Sequence, residues 1–191
     1  QSDIRRVPIK GIEQQAVQAL HRTRQHWISV RTATINALRG LLYEFGVVLP
    51  GGKQVGLKAL SVRRAQIDAQ VPAPMQRLID GQLAMLKDIT QRVDQLEAEI
   101  AALGKAHATE SRLRQVPGIG LLGASALAAT LGDARGWKSG REFSASLGIV
   151  PAHSGTGGKV HLGHISKRGD PYLRTLLIHG ARAVITHAKH K

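Results

Sequence analysis

The sequence predicts a mainly α protein: long helices with a coiled-coil arm, antiparallel within the chain or shared between subunits, then a small helical domain holding a helix-hairpin-helix and a Gly-rich loop. Three observations predict it. Apolar residues recur at helical spacing from Ile12 to Phe45; a seven-residue apolar period follows Met75; and from residue 112 onward glycine punctuates short apolar stretches, 13 of the 21 glycines lying there. The chain accordingly divides into a helical linker and coiled-coil region, 1–111, and a compact domain, 112–191.

The first helix rests on Ala16, Leu20, Trp27, Val30, Thr34, Leu38, Leu41 and Leu42, with Arg22, Arg24, Arg31 and Arg39 riding on it. Leu49-Pro50-Gly51-Gly52 is the expected stop signal. A shorter helix is expected from Leu57 to about Gln70, closed by Pro72 and Pro74. Beyond it Ile79, Leu86, Val93 and Ile100 keep a heptad period, Ile89, Leu96 and Leu103 follow three residues after the last three of these, and Gln82 is the one polar break. Such a seam needs a partner, either the first helix or another subunit.

Composition narrows the function. The 191 residues carry 27 Lys+Arg against 13 Asp+Glu, a formal charge of +14, which favours a polyanion partner. The charge sits at the ends: residues 1–70 hold 11 basic and 4 acidic side chains and residues 112–191 hold 12 and 3, whereas 71–111 hold 4 and 6 and form a spacer. Six aromatics argue against base-stacking modules. The lack of cysteine excludes disulfides and thiolate metal sites and suits a reducing cytoplasm, and no apolar run approaches a membrane span. Histidines 153, 161, 164, 179, 187 and 190 are numerous, but no clustered carboxylate joins them, and solvated or nucleic-acid-facing roles are expected. Asp94, Glu97 and Glu99 belong to a solvated helix face.

Two loops carry candidate chemistry. In Val116-Pro117-Gly118-Ile119-Gly120 the glycines let backbone approach a ligand, and the N–H groups of Gly118, Gly120 and the following helix start could hold a phosphate; a tight packing turn is the alternative. The second runs Pro151-Ala152-His153-Ser154-Gly155-Thr156-Gly157-Gly158-Lys159. Gly155, Gly157 and Gly158 could wrap a phosphate, with Lys159, Lys167, Arg168 and Arg174 supplying charge. A hydroxyl in that setting could attack a phosphate or merely contact one. Tyr172, beside Pro171, reads better as a packing residue than as a nucleophile.

Val116-Pro-Gly-Ile-Gly, Gly140-Arg-Glu-Phe-Ser-Ala-Ser-Leu-Gly-Ile-Val-Pro, Ser154-Gly-Thr-Gly-Gly-Lys and the run Ile165-Ser-Lys-Arg-Gly-Asp-Pro-Tyr-Leu-Arg together resemble one family. They look like the C-terminal part of bacterial insertion-sequence transposases of family one-ten, especially its eleven-eleven subgroup, related to Piv-type DNA invertases. The likeness extends back through Leu38-Arg-Gly-Leu-Leu-Tyr-Glu-Phe-Gly to Val7-Pro-Ile-Lys. It implies a recombinase that acts on duplex DNA under a structured guide RNA. It also implies a RuvC-like N-terminal domain with a magnesium-binding acidic tetrad, a coiled-coil arm and a domain bearing a serine nucleophile. The serine maps onto Ser154, which keeps its following glycine; an ungapped alignment from Pro151 would select Thr156 instead. No residue here stands for the tetrad, Asp3 lying too near the helical region, so magnesium is expected on a preceding domain and no cofactor on this chain. The expectations are therefore a fragment inactive by itself, a homo-oligomer through the coiled coil, and a cytoplasmic protein without a membrane segment.

Overall fold

A computed structural model describes residues 9–105, 107–132 and 136–188, so Asp3, Val7 and His190 lie outside the described residues. Among the described residues eight α-helices and one two-stranded sheet follow in the order α1 (Ile12–Glu44), α2 (Lys53–Val62), α3 (Arg64–Gln70), α4 (Ala73–Gly104), α5 (Ala108–Leu113), α6 (Leu121–Leu131), α7 (Gly140–Ser146), β1 (Pro151–Ser154), β2 (His161–Ile165) and α8 (Pro171–Ala188). The mainly helical expectation holds. The chain forms two compact units, one of His21–Ala98 and one of the described residues of Gln1–Leu20 and Glu99–Lys191. Both α1 and α4 contribute residues to each.

In the unit of His21–Ala98, α1 runs on to Glu44, as its apolar spacing requires, but it ends earlier than the Pro-Gly-Gly signal. Gly46 takes φ 71°, its N–H donates to the Tyr43 carbonyl at 2.9 Å, and the Val47 N–H donates to the Leu42 carbonyl at 3.0 Å. This is a Schellman stop, and Leu42 and Val47 complete it by entering the same core. The single helix expected over 57–70 is two. Its start moves forward to Lys53, and Arg63, at φ −95° and ψ 12°, separates α2 from α3. No glycine or proline marks that break. The Arg63 guanidinium donates to the Val48 carbonyl at 3.4 Å and to Gln66 at 3.4 Å, and the first of these partners is supplied by another part of the fold. Val71 is extended, as the residue before a proline should be, and the Pro72 carbonyl accepts from Met75 and Gln76 to start α4.

Leu38, Leu42, Val47, Leu60, Ile67, Val71, Met75 and Ile79 make this unit's core. Further along, Arg24 meets Glu97 at 2.6 Å and the Arg92 guanidinium lies 5.4 Å from the Trp27 ring centre. Residue numbers thus fall on α4 as they rise on α1, so the two helices run antiparallel here. The heptad positions Ile79, Leu86, Ile89, Val93 and Ile100 are all buried, whereas Leu103, at the end of the second row, is exposed.

His21 is buried in α1, and desolvation, followed by the charge of Arg24, lowers its pKa to about 4. An unfolded histidine takes up its proton near pH 6.5, so acid favours the unfolded chain. The contribution is therefore complete above about pH 6.5 and is lost as pH falls toward 4. The full shift corresponds to about 3 kcal/mol, which solvent screening reduces to about 2. Urea midpoints of the wild type and His21→Gln between pH 7 and 4.5 are expected to diverge, the variant losing less stability. Parallel curves would refute a buried neutral His21.

In the other unit, α6 packs against α5 and α8. Ala126, Leu127, Leu147 and Leu173 form its core, lined by Leu113, Ile119, Phe143, Ile149, Tyr172 and Leu176. Tyr172 is thus a packing residue. The small residues Ala124, Ser125, Ala126 and Ala129 let α6 be enclosed closely, and Gln18 of α1 donates to the Ala129 carbonyl at 3.1 Å. Glu110 is buried too. Its carboxylate occupies the space that a side chain on Gly104 would fill. Desolvation raises its pKa against the opposing effects of His107, the Ser125 hydroxyl and Arg114.

Candidate nucleic-acid interface

The Gly-rich segment forms a β-hairpin, a departure from the loop expected between helices. β1 and β2 pair antiparallel in the register Pro151↔Ile165, His153↔Leu162 and Ser154↔His161, with an irregularity between Pro151 and His153. At the tip the Lys159 N–H donates to the Thr156 carbonyl at 3.2 Å, while Gly157 and Gly158 have φ 60° and 80°. Positive φ at both central residues is the requirement of a type I′ turn, whose twist matches that of a hairpin. Gly155 has its own reason, since a Cβ there would strike the Lys159 carbonyl.

All of residues 151–164 are exposed, including Ser154, Thr156 and Lys159. Among the described residues the N–H groups of Gly157 and Gly158 meet no acceptor, and the side chains of Lys159, Lys167 and Arg168 make no ion pair. These are donors and charges available to an anion. Lys167 has φ 54°, the one non-glycine residue with positive φ among those described.

The base of the hairpin is clamped by backbone. Gly148 (φ 69°) closes α7 in a second Schellman stop, its N–H reaching Ala145 and that of Ile149 reaching Ser144. From the returning chain, Ser166 N–H donates to Val150 at 2.9 Å and Lys167 N–H to Gly148 at 3.0 Å. The Arg168 backbone lies against Gly148, and the Ser146 carbonyl against Gly169. Asp170 then caps α8, accepting from Tyr172 N–H at 2.8 Å and Leu173 N–H at 3.1 Å. Lys167 and Arg168 are thereby held at the foot of the strand that carries His161.

Residues 110–191 match the model of the family described as Transposase IS116/IS110/IS902. That stretch is similar to a transposase domain of this family. Over 189 residues the chain is 47% identical to a probable family 20 transposase of Pseudomonas aeruginosa, covering 98% of this chain and 56% of that protein. It is 37% identical over 190 residues to the transposase for insertion sequence element IS1111A of Coxiella burnetii, covering 100% of this chain and 52% of the relative. With the transposase for IS1328 of Yersinia enterocolitica the identity is 35% over 179 residues, or 94% and 53% of the two chains. The chain spans about half the length of these curated relatives.

Within the matched stretch the candidate residues separate into groups. Ser154, Gly155, Thr156, Gly157, Gly158 and Lys159 share the hairpin, and Lys167 and Arg168 follow β2. Arg174 lies on α8: its guanidinium donates to the Leu147 carbonyl at 2.9 Å, tying α8 to the end of α7. In the Val116–Gly120 connection the two glycines differ. Gly118 (φ 87°) lies against the Gly180 carbonyl, which a Cβ would approach to 2.8 Å, whereas a Cβ on Gly120 would meet nothing within 4 Å. Gly120 precedes α6 with no side-chain cap.

Among the described residues no three of His, Asp and Glu gather in a metal-binding group, and no helix is long and apolar enough to cross a membrane. The pairing of Ser154 with His161 was not anticipated. Its signal lies in the sequence all the same, since Gly157-Gly158 between short polar-apolar stretches is a type I′ hairpin pattern.

Proposed function

We propose that this chain is the DNA-handling part of a transposase, in which the hairpin presents Ser154 to a DNA phosphodiester. One observation carries the reading: a stretch similar to a transposase domain displays Ser154 on an exposed hairpin, with Lys159 in the turn and Lys167 and Arg168 at its foot, all without competing ion pairs among the described residues. Ser154 would attack phosphorus and conserve the bond energy in a protein–DNA phosphoester. The free N–H groups of Gly157 and Gly158 and the nearby cations would offset charge on the phosphoryl oxygens. Thr156 is the alternative nucleophile. Gly120, at the start of α6, would add a backbone contact, which positions DNA without reading its sequence.

The finer parts rest on the resemblance alone: a structured guide RNA, homo-oligomerisation through the long helices, and a bacterial cytoplasmic setting. The same resemblance implies magnesium held by an acidic domain. The chain alone is expected to bind duplex DNA with an affinity that falls steeply with salt. In a transposase of full family length carrying this segment, Ser154→Ala should bind DNA as the wild type does yet form no denaturant-resistant protein–DNA adduct. An adduct surviving in Ser154→Ala and lost in Thr156→Ala would move the nucleophile to the turn; salt-independent or absent binding would refute the interface.

A further inference from the structure

We infer that His161 is the proton acceptor for Ser154, a catalytic role that rests on the reading of Ser154 as nucleophile. The two residues are direct cross-strand partners. Directly opposed residues of an antiparallel pair share a face with Cβ atoms about 4.5–5.5 Å apart, which brings an imidazole nitrogen within rotamer reach of a serine hydroxyl. Neither side chain is engaged elsewhere among the described residues, and both are exposed to an incoming strand.

On the side away from the turn that face is low. Two residues from Ser154 along β1 is Ala152, and two residues from His161 along β2 is Gly163, whose missing side chain would lie 3.8 Å from the Ala152 Cβ. A phosphodiester can therefore approach the pair from beside it without meeting a bulky side chain. Thr156 has no such partner. It belongs to the turn, where its carbonyl faces the Lys159 N–H. The register thus distinguishes between the two hydroxyls, which alignment left open.

The step balances within these groups and solvent. As the Ser154 Oγ–P bond forms, the hydroxyl proton passes to the imidazole of His161 and one P–O bond to deoxyribose breaks. The released deoxyribose oxygen takes a proton from water, and the imidazolium returns its own to solvent.

The test uses a transposase of full family length carrying this segment, a labelled donor DNA, and adduct formation and DNA affinity as separate readouts. His161→Ala should slow adduct formation by about 100-fold or more with affinity within about twofold of wild type, and added imidazole should restore part of the rate. In a Ser154→Cys background the same substitution should cost less than about tenfold, because a thiol ionises without a strong base. His161→Gln, which keeps size and polarity but accepts no proton at neutral pH, should behave as His161→Ala does and guards against loss of folding. An unchanged rate in His161→Ala, a rate restored by glutamine, or a rate loss matched by lost affinity would each overturn the proposal. Adduct formation by Ser154→Ala is a different failure, that of the nucleophile itself.

Discussion

Gly148→Ala is expected to unfold the domain that carries the hairpin or to destabilise it by more than about 3 kcal/mol. Two costs combine. An L side chain at φ 69° pays the left-handed penalty of about 1–2 kcal/mol. Its Cβ would also sit inside the Arg168 backbone, whose nitrogen and carbonyl oxygen lie in the space it needs, and backbone cannot rotate aside as a side chain can. Gly169→Ala repeats the argument from the opposite chain, at φ 99° against the Ser146 carbonyl. Each should show the full loss, and the double variant should lose less than the sum, since both break one clamp. Thermal melts would check this; a fall of less than a few degrees in either single variant would mean that the clamp is not formed.

The second large effect separates two glycines that are alike in sequence. Gly118→Ala is expected to cost about 3 kcal/mol or more, because at φ 87° its side chain would push on the Gly180 carbonyl of α8, and a Cβ on Gly180 would come closer still to the Gly118 carbonyl. Gly120→Ala is expected to leave the domain folded, its Cβ facing open space at φ −82°. Any loss of DNA affinity in Gly120→Ala then reports a contact with nucleic acid, whereas loss in Gly118→Ala reports a disordered domain. Circular dichroism with salt-dependent DNA titration distinguishes them. Equal stability of the two variants would contradict the Gly118–Gly180 contact.

These glycines show how far local signals reach. The positions of turn glycines are readable because φ is a local property, and both Schellman stops lie at glycines that interrupt an apolar run. Which backbone each glycine must admit is not readable. Gly118 meets Gly180 and Gly148 meets Arg168 across intervals of 62 and 20 residues, distances over which a sequence carries no spacing rule. Arg174 makes the same point: its sequence position near the Gly-rich loop makes it a candidate cation, and the fold adds a bond from its guanidinium to the Leu147 carbonyl, 27 residues away.

By itself the sequence determined the mainly helical class, the long first helix, the heptad-bearing α4 and the basic, glycine-rich end, because periodicity, charge and backbone freedom are properties of neighbouring residues. Its motifs also led to the likeness to insertion-sequence transposases. The tertiary structure alone decided that α4 runs antiparallel to α1 within His21–Ala98, that Arg63 breaks a helix no proline interrupts, and that Ser154 stands opposite His161. Strand register and helix pairing depend on which distant surfaces exclude water together and which backbones can touch. Those are choices among long-range contacts, and local spacing leaves them open.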